Sequence, residues 1–208
     1  MFVIGLTGSI GMGKSWGARC LRLLGVPVHD ADGCVHRLMG PGGAAVKPVS
    51  GIFAGVLDQH GGVDRLKLGE KVLGDDKALD TLEAILHPLV RQDQRRFLGW
   101  CRRRGEGLAA LDIPLLYETG SDVRVDAVVV MSAPERLQRH RVLRRAGMTT
   151  DKFDAILARQ LDDRIKRQIA DFVVSTGGTR GQSLRQIANI VKVTKSLKGH
   201  VWGPGWGG

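Results

Sequence analysis

The residues best suited to chemistry lie near the amino terminus. Gly8-Ser9-Ile10-Gly11-Met12-Gly13-Lys14-Ser15 satisfies the spacing GxxxxGK[ST] at every fixed position. Glycines let the backbone curl so that successive N–H groups face phosphate oxygens, and a helix starting just after them adds positive potential. In such a loop Lys14 reaches the β- and γ-phosphates of a nucleoside triphosphate, and the Ser15 hydroxyl ligates Mg²⁺. Gly8, Gly11, Met12, Gly13, Lys14, Ser15 and Trp16 are the expected ATP contacts. The chemistry they imply is phosphoryl transfer.

A transfer needs an acceptor and a group to take its proton. His29-Asp30-Ala31-Asp32 follows an apolar segment, and a carboxylate there can orient an acceptor hydroxyl and accept its proton during attack. Asp32 is the first candidate base and Asp30 the second, with a helix N-cap as the alternative role for Asp32. A metal site built from His29, Asp32, Cys34 and His36 is disfavoured, because Cys34 and His36 are two apart on a predicted helix and do not share a face.

Arg136, Arg139, Arg141, Arg144 and Arg145 crowd a second predicted helix, with Arg141 and Arg145 at i and i+4. They read either as a solvated face or as a lid whose arginines stabilise charge on the transferring phosphoryl group. Asp112 ends an apolar run, where it is either a strand-terminal turn residue or a contact to magnesium-bound water. His87, before Pro88, either touches the acceptor or caps a helix.

These positions need a scaffold, and the pattern around them supplies one. Residues 2–6, 26–29, 108–113, 125–131 and 172–174 read as strands, the third and fourth as continuous apolar runs typical of buried parallel strands. Helices are expected at 15–24, 32–39, 134–145, 151–161 and 183–197. Between 44 and 104 the pattern is helical in pieces: 44–57, 66–73, 77–86 and a separate helix beginning at His87-Pro88, since proline suits a first helical position. The expectation is a three-layer α/β/α P-loop fold with a mainly parallel sheet. Residues 1–40 and 105–199 would form the nucleotide-binding core, with a lid at about 134–150. Residues 41–104 would form a helical acceptor-binding insertion, and 200–208 a flexible tail.

The chain has 208 residues, enough for one domain with an insertion, and carries 31 Lys and Arg against 21 Asp and Glu. The excess positive charge suits nucleotides, phosphorylated metabolites or nucleic acid. Aromatic residues are only 5% of the chain, which disfavours a base-stacking nucleic-acid NTPase. Three widely spaced cysteines, none in a CxxC pair, fit reduced structural thiols. No basic leader and no membrane-length apolar run is evident, so a soluble cytoplasmic protein is expected, without nucleic-acid or membrane partners.

Taken together these segments resemble the dephospho-CoA kinase family. The resemblance runs from Ile4 to about Gly178 and rests on the order of its parts. They are the phosphate loop, Asp30-Ala31-Asp32, Gly62-Val63-Asp64-Arg65, Leu86-His87-Pro88-Leu89-Val90, Asp112 to Glu118, Arg141 with Arg145, Arg159-Gln160, and Ala170 to Val174.

The resemblance implies an enzyme that transfers the ATP γ-phosphate to the ribose 3′-hydroxyl of dephospho-CoA, with Mg²⁺ accompanying ATP. Asp32 would be the base, with Asp32, His87 and Arg65 at the acceptor. Lys14 and Arg141 would act on the phosphates, Arg145 would contact ATP, and Ser15 and Asp112 would be the magnesium positions. A nucleoside or nucleoside monophosphate kinase is the alternative with the same loop. Two departures from the family pattern stand out: Trp16 replaces a threonine, and Ser175-Thr176 replaces an Asp-Asn or Asp-Thr pair.

Overall fold

The computed structural model describes residues 1–203 and Trp206. It divides into two compact units, Met1–Asp30 with Leu98–Trp206 and Ala31–Phe97. The expected boundaries at 40 and 105 therefore shift. The first helix after the second strand belongs to the helical unit, and the end of the long helix belongs to the core.

The first unit is built on five parallel strands: β1 (Phe2–Thr7), β2 (Val28–Asp30), β3 (Leu108–Asp112), β4 (Ala127–Ser132) and β5 (Phe172–Ser175), in spatial order β2-β3-β1-β4-β5. Every residue of β1, β3 and β4 is buried, and apart from the polar residue that ends each strand (Thr7, Asp112, Ser132) their sequences are apolar, as strands covered on both faces require. Alternation sorts their side chains. Phe2, Ile4 and Leu6 join a cluster with Ala18 and Leu21 of α1 (Lys14–Leu23) and Ile187 and Val191 of α9 (Arg180–Thr194). Gly5 faces the other way, where Leu116 and Val125 occupy the space a Cβ would need.

Pairing of Leu6 with Asp112 and of Asp30 with Asp112 brings the carboxyl ends of three strands level. That edge is where open α/β sheets bind ligands. The remaining helices of this unit are α6 (Glu135–Leu143), α7 (Thr150–Ala158) and α8 (Asp163–Ile169). The sequence pattern had not suggested α8. The last helix begins three residues earlier than its apolar spacing implied, because Thr179 and Gln182 form a reciprocal capping box.

The second unit holds α2 (Ala31–Met39), α3 (Val46–Ile52), α4 (Arg65–Val72) and most of α5 (Asp76–Arg103). Its own core gathers Met39, Val49, Phe53, Val56, Leu68 and Leu82. Two helices were expected on either side of His87-Pro88, but α5 is one helix with Pro88 inside it. An internal proline removes a hydrogen bond and crowds the preceding turn. Here Leu82, Ile85, Leu86 and Leu89 anchor the helix to the core on both sides of Pro88, so packing outweighs the local penalty.

The described part of the tail is tethered. Asp126 accepts from the backbone N–H groups of His200 at 2.6 Å and Val201 at 2.9 Å, while its second oxygen accepts from Val3 N–H. Trp206 is buried and donates its indole N–H to Arg124 O at 2.9 Å. The flexible tail expected from the lack of periodicity thus gives way, in these residues, to contacts that periodicity does not register. The same expectation for 204, 205, 207 and 208 lies outside the described residues. Among the described residues no helix is long and apolar enough to cross a membrane.

Candidate active site

The phosphate loop leaves the carboxyl end of central strand β1 and feeds α1. Its glycines are required by close approach: a Cβ on Gly8 would lie 2.6 Å from Met131 O. Gly13 has φ 92, and a Cβ there would meet the Thr176 side chain at 3.0 Å. Lys14 opens α1, and its Nζ lies 2.6 Å from Asp112 Oδ1 at the end of β3. Asp112 is thus a buried partner of the loop lysine, more than a turn residue. Ser15 is exposed at the first turn of the same helix.

Trp16, the first departure from the family pattern, neither interrupts α1 nor stands alone. Its ring packs against the core, and the Arg180 guanidinium lies 5.2 Å from the ring centroid. Thr176, in the second departure, is buried and donates its hydroxyl to Met12 O at 2.9 Å. Arg141 donates to Thr176 Oγ1 at 2.9 Å, to Thr176 O at 2.6 Å and to Gly11 O at 3.3 Å. Thr176 thus links the phosphate loop to Arg141, and the only mark of it in the sequence is the departure itself.

The segment 134–150, expected as a lid, holds α6 and leads into α7. Arg139 of α6 lies 3.6 Å from Asp154 of α7 and over the Phe153 ring. Gln138 Nε2 donates to Ile10 O at 2.8 Å, and Gln160 Oε1 accepts from Ile10 N–H at 3.0 Å. Arg145 departs from expectation. α6 ends at Leu143, so Arg145 lies beyond it, exposed, and does not share a helical face with Arg141. The chain turns there toward Gly147, whose φ is 73, and the i, i+4 relation fails once the helix stops.

Asp30 ends β2, level with Asp112 and exposed. α2 begins at Ala31, so Asp32 is inside the first turn and not at the N-cap, exposed to solvent. An acidic residue there is favoured by the positive end of the helix dipole. Within the helical unit, the Arg65 guanidinium meets the His36 ring nitrogen, and both line a cleft of about 450 Å³ with Asp58 and Asp64. His87, half-buried, is inside α5 and caps nothing. The residues after it, Pro88, Leu89, Arg91, Gln92, Arg95 and Arg96, line a second cleft of about 710 Å³ with a basic wall.

Burial perturbs several groups without joining them to this chemistry. Tyr117 is pushed up to about 12, first by burial and then by the charges of Asp171 and Asp122. Burial likewise raises Cys101 to about 11 and raises Cys20. All three cysteines are buried and none is in a disulfide, in keeping with structural thiols.

A glycine loop between a central parallel strand and its following helix, its lysine paired with the aspartate ending the adjacent strand, defines a P-loop nucleotide-binding protein of the α/β class. Known proteins narrow this class. The chain belongs to the dephospho-CoA kinase family, whose family model, described as Dephospho-CoA kinase, matches residues 2–181. It is 50% identical over 199 residues to the dephospho-CoA kinase of Mesorhizobium japonicum, covering 96% of this chain and 100% of that protein. Identity to the dephospho-CoA kinase of Paramagnetospirillum magneticum is 56% over 167 residues, 80% of this chain and 78% of that one. A crystal structure of a Thermus thermophilus protein superposes with a TM-score of 0.81 at 31% identity, covering 92% of this chain and 96% of that chain.

Proposed function

We propose that this chain transfers the γ-phosphate of ATP to the ribose 3′-hydroxyl of dephospho-CoA, giving CoA and ADP in the last step of coenzyme A synthesis. Family membership supports the acceptor. The observation that carries the donor half is the Lys14–Asp112 pair beside the phosphate loop at the carboxyl edge of the sheet.

In this reading the loop N–H groups and Lys14 hold the β- and γ-phosphates, with Gly8, Gly11, Met12, Gly13, Ser15, Trp16 and Arg145 completing the ATP contacts. Asp32 accepts the 3′-hydroxyl proton as that oxygen bonds to the γ-phosphorus. The bond from the γ-phosphorus to its bridging oxygen breaks, and the electron pair leaves with ADP. Arg141, now held by Thr176 and Gly11, turns part of its donor fork to the transferring group, where fixed positive charge is most effective. Arg65 and His87 contact the acceptor.

The donor set of Ser15 hydroxyl and Asp112 carboxylate, next to phosphate oxygens, is of the hard-oxygen kind that Mg²⁺ takes, Asp112 acting through water. Bound there, the ion would neutralise charge shared between the β- and γ-oxygens.

The test is ADP release from ATP with dephospho-CoA as acceptor, the product being identified as the 3′-phosphate. AMP, CMP and nucleosides serve as control acceptors. Turnover with dephospho-CoA and not with the controls is expected; turnover with a nucleotide acceptor alone overturns the reading.

A further inference from the structure

Lys166 lies in a run of charges, Asp162-Asp163-Arg164-Ile165-Lys166-Arg167, of the kind that ordinarily faces water. Its side chain is nevertheless 0% exposed. Burying an ammonium is costly unless it is paired and hydrogen-bonded, so its partners are informative. Nζ lies 2.7 Å from Glu118 Oε1 and donates to Ser9 Oγ at 3.3 Å. Ser9 is the second residue of the phosphate loop and is itself buried.

The contacts around this pair converge on the same two loop residues. Glu118 Oε1 also accepts from Leu161 N–H at 2.8 Å, which fixes the carboxylate. The preceding residue, Gln160, accepts from Ile10 N–H, and Gln138 donates to Ile10 O. Ser9 and Ile10 are therefore gripped by Gln138 of α6, Lys166 of α8 and Gln160 from the turn between α7 and α8. The ammonium satisfies one of its remaining donors on Ser9 Oγ, so the same contact that makes its burial tolerable also ties it to the phosphate loop.

We propose that Lys166 is a positioning residue for the phosphate loop, acting through Ser9, with Glu118 holding the ammonium in place. It presets the loop for triphosphate before ATP arrives, so that less ordering is needed on binding. The inference rests on the loop binding ATP, as proposed above.

The test uses purified full-length Ser9→Ala, Lys166→Met and the double variant. ATP affinity is measured by calorimetry, KM for ATP and for dephospho-CoA by steady-state kinetics, and Tm in parallel. Ser9→Ala and Lys166→Met are each expected to weaken ATP binding about ten-fold, with KM for dephospho-CoA unchanged. The double variant should bind ATP no more weakly than Lys166→Met, because both changes cut one connection. Wild-type ATP affinity in Ser9→Ala, or additive losses in the double variant, overturns the proposal even if Lys166→Met melts earlier.

Should Lys166→Met fail to fold, Glu118→Leu with Lys166→Met replaces the whole pair by apolar groups, a change buried pairs often tolerate. On that background Ser9→Ala is expected to add nothing, and a further ten-fold loss overturns the assignment. Normal ATP binding by a wild-type protein that does not phosphorylate dephospho-CoA would sink the function proposed above and leave this test standing.

Discussion

Lys14 and Asp112 form an ion pair of 2.6 Å that joins the start of α1 to the end of β3, across 98 positions of the chain. The two side chains are 15% and 6% exposed. The phosphate-loop lysine is thus already held at the sheet edge by the carboxylate that ends β3.

Removing the lysine therefore does two things. Lys14→Ala is expected to lower kcat by about 10²- to 10³-fold through loss of phosphate stabilisation. It should also cost roughly 3 kcal/mol of stability, because Asp112 loses its buried counter-charge. Steady-state kinetics and urea unfolding read the two separately, and a variant with normal turnover would remove Lys14 from the mechanism.

Asp32→Asn keeps the size of the side chain and removes its basicity. ATP affinity should be retained while turnover falls by about 10²- to 10⁴-fold, the range for loss of a general base. A rate close to wild type would pass the role to Asp30, and Asp30→Asn is then the next variant to measure.

Arg141→Lys probes the guanidinium held against the phosphate loop. The guanidinium spans Thr176 and Gly11 with two nitrogens, a geometry a single ammonium does not reproduce. A loss of kcat of roughly 10-fold or more is expected. Unchanged kcat with a higher KM for ATP would limit Arg141 to ground-state binding.

The pH dependence of stability should carry a mark of Tyr117. Its hydroxyl is raised from an ordinary 10.0 to about 12, so the folded state keeps its proton where the unfolded state has lost it. That contribution is complete below pH 10 and is lost as pH rises from there through about 12. Cys101 acts with the same sign from 9.0 to about 11. Tyr117→Phe should flatten the upper part of the decline in unfolding experiments. At neutral pH it should be neutral or stabilising by about 1 kcal/mol, because the phenolic oxygen is buried with no hydrogen-bond partner among the described residues. An unaltered alkaline profile would assign the loss to other groups.

Much of this architecture is legible locally. The phosphate loop can be read because its backbone excludes side chains at fixed positions, a constraint that only glycine meets at Gly8 and Gly13. β3 and β4 can be read because strands covered on both faces are apolar up to their last residues, Asp112 and Ser132. Pro88 misleads for the opposite reason: its local signal is a helix start, and the packing of Leu82 and Leu89 that overrides it comes from distant residues. Arg145 misleads because helical spacing holds only while the helix lasts, and α6 stops at Leu143.

The sequence by itself determined the donor chemistry, the parallel α/β class and the candidate carboxylates Asp30, Asp32 and Asp112, all of which follow from residue type and short spacing. Only the tertiary structure decided which charges meet. Lys14 finds Asp112, Arg141 finds Thr176, and Lys166 leaves a run of charges to be buried between Glu118 and Ser9, 157 positions away. Such pairings depend on strand order and helix packing. A strand order of β2-β3-β1-β4-β5 sets side by side strands that the chain keeps far apart, and no local pattern encodes that.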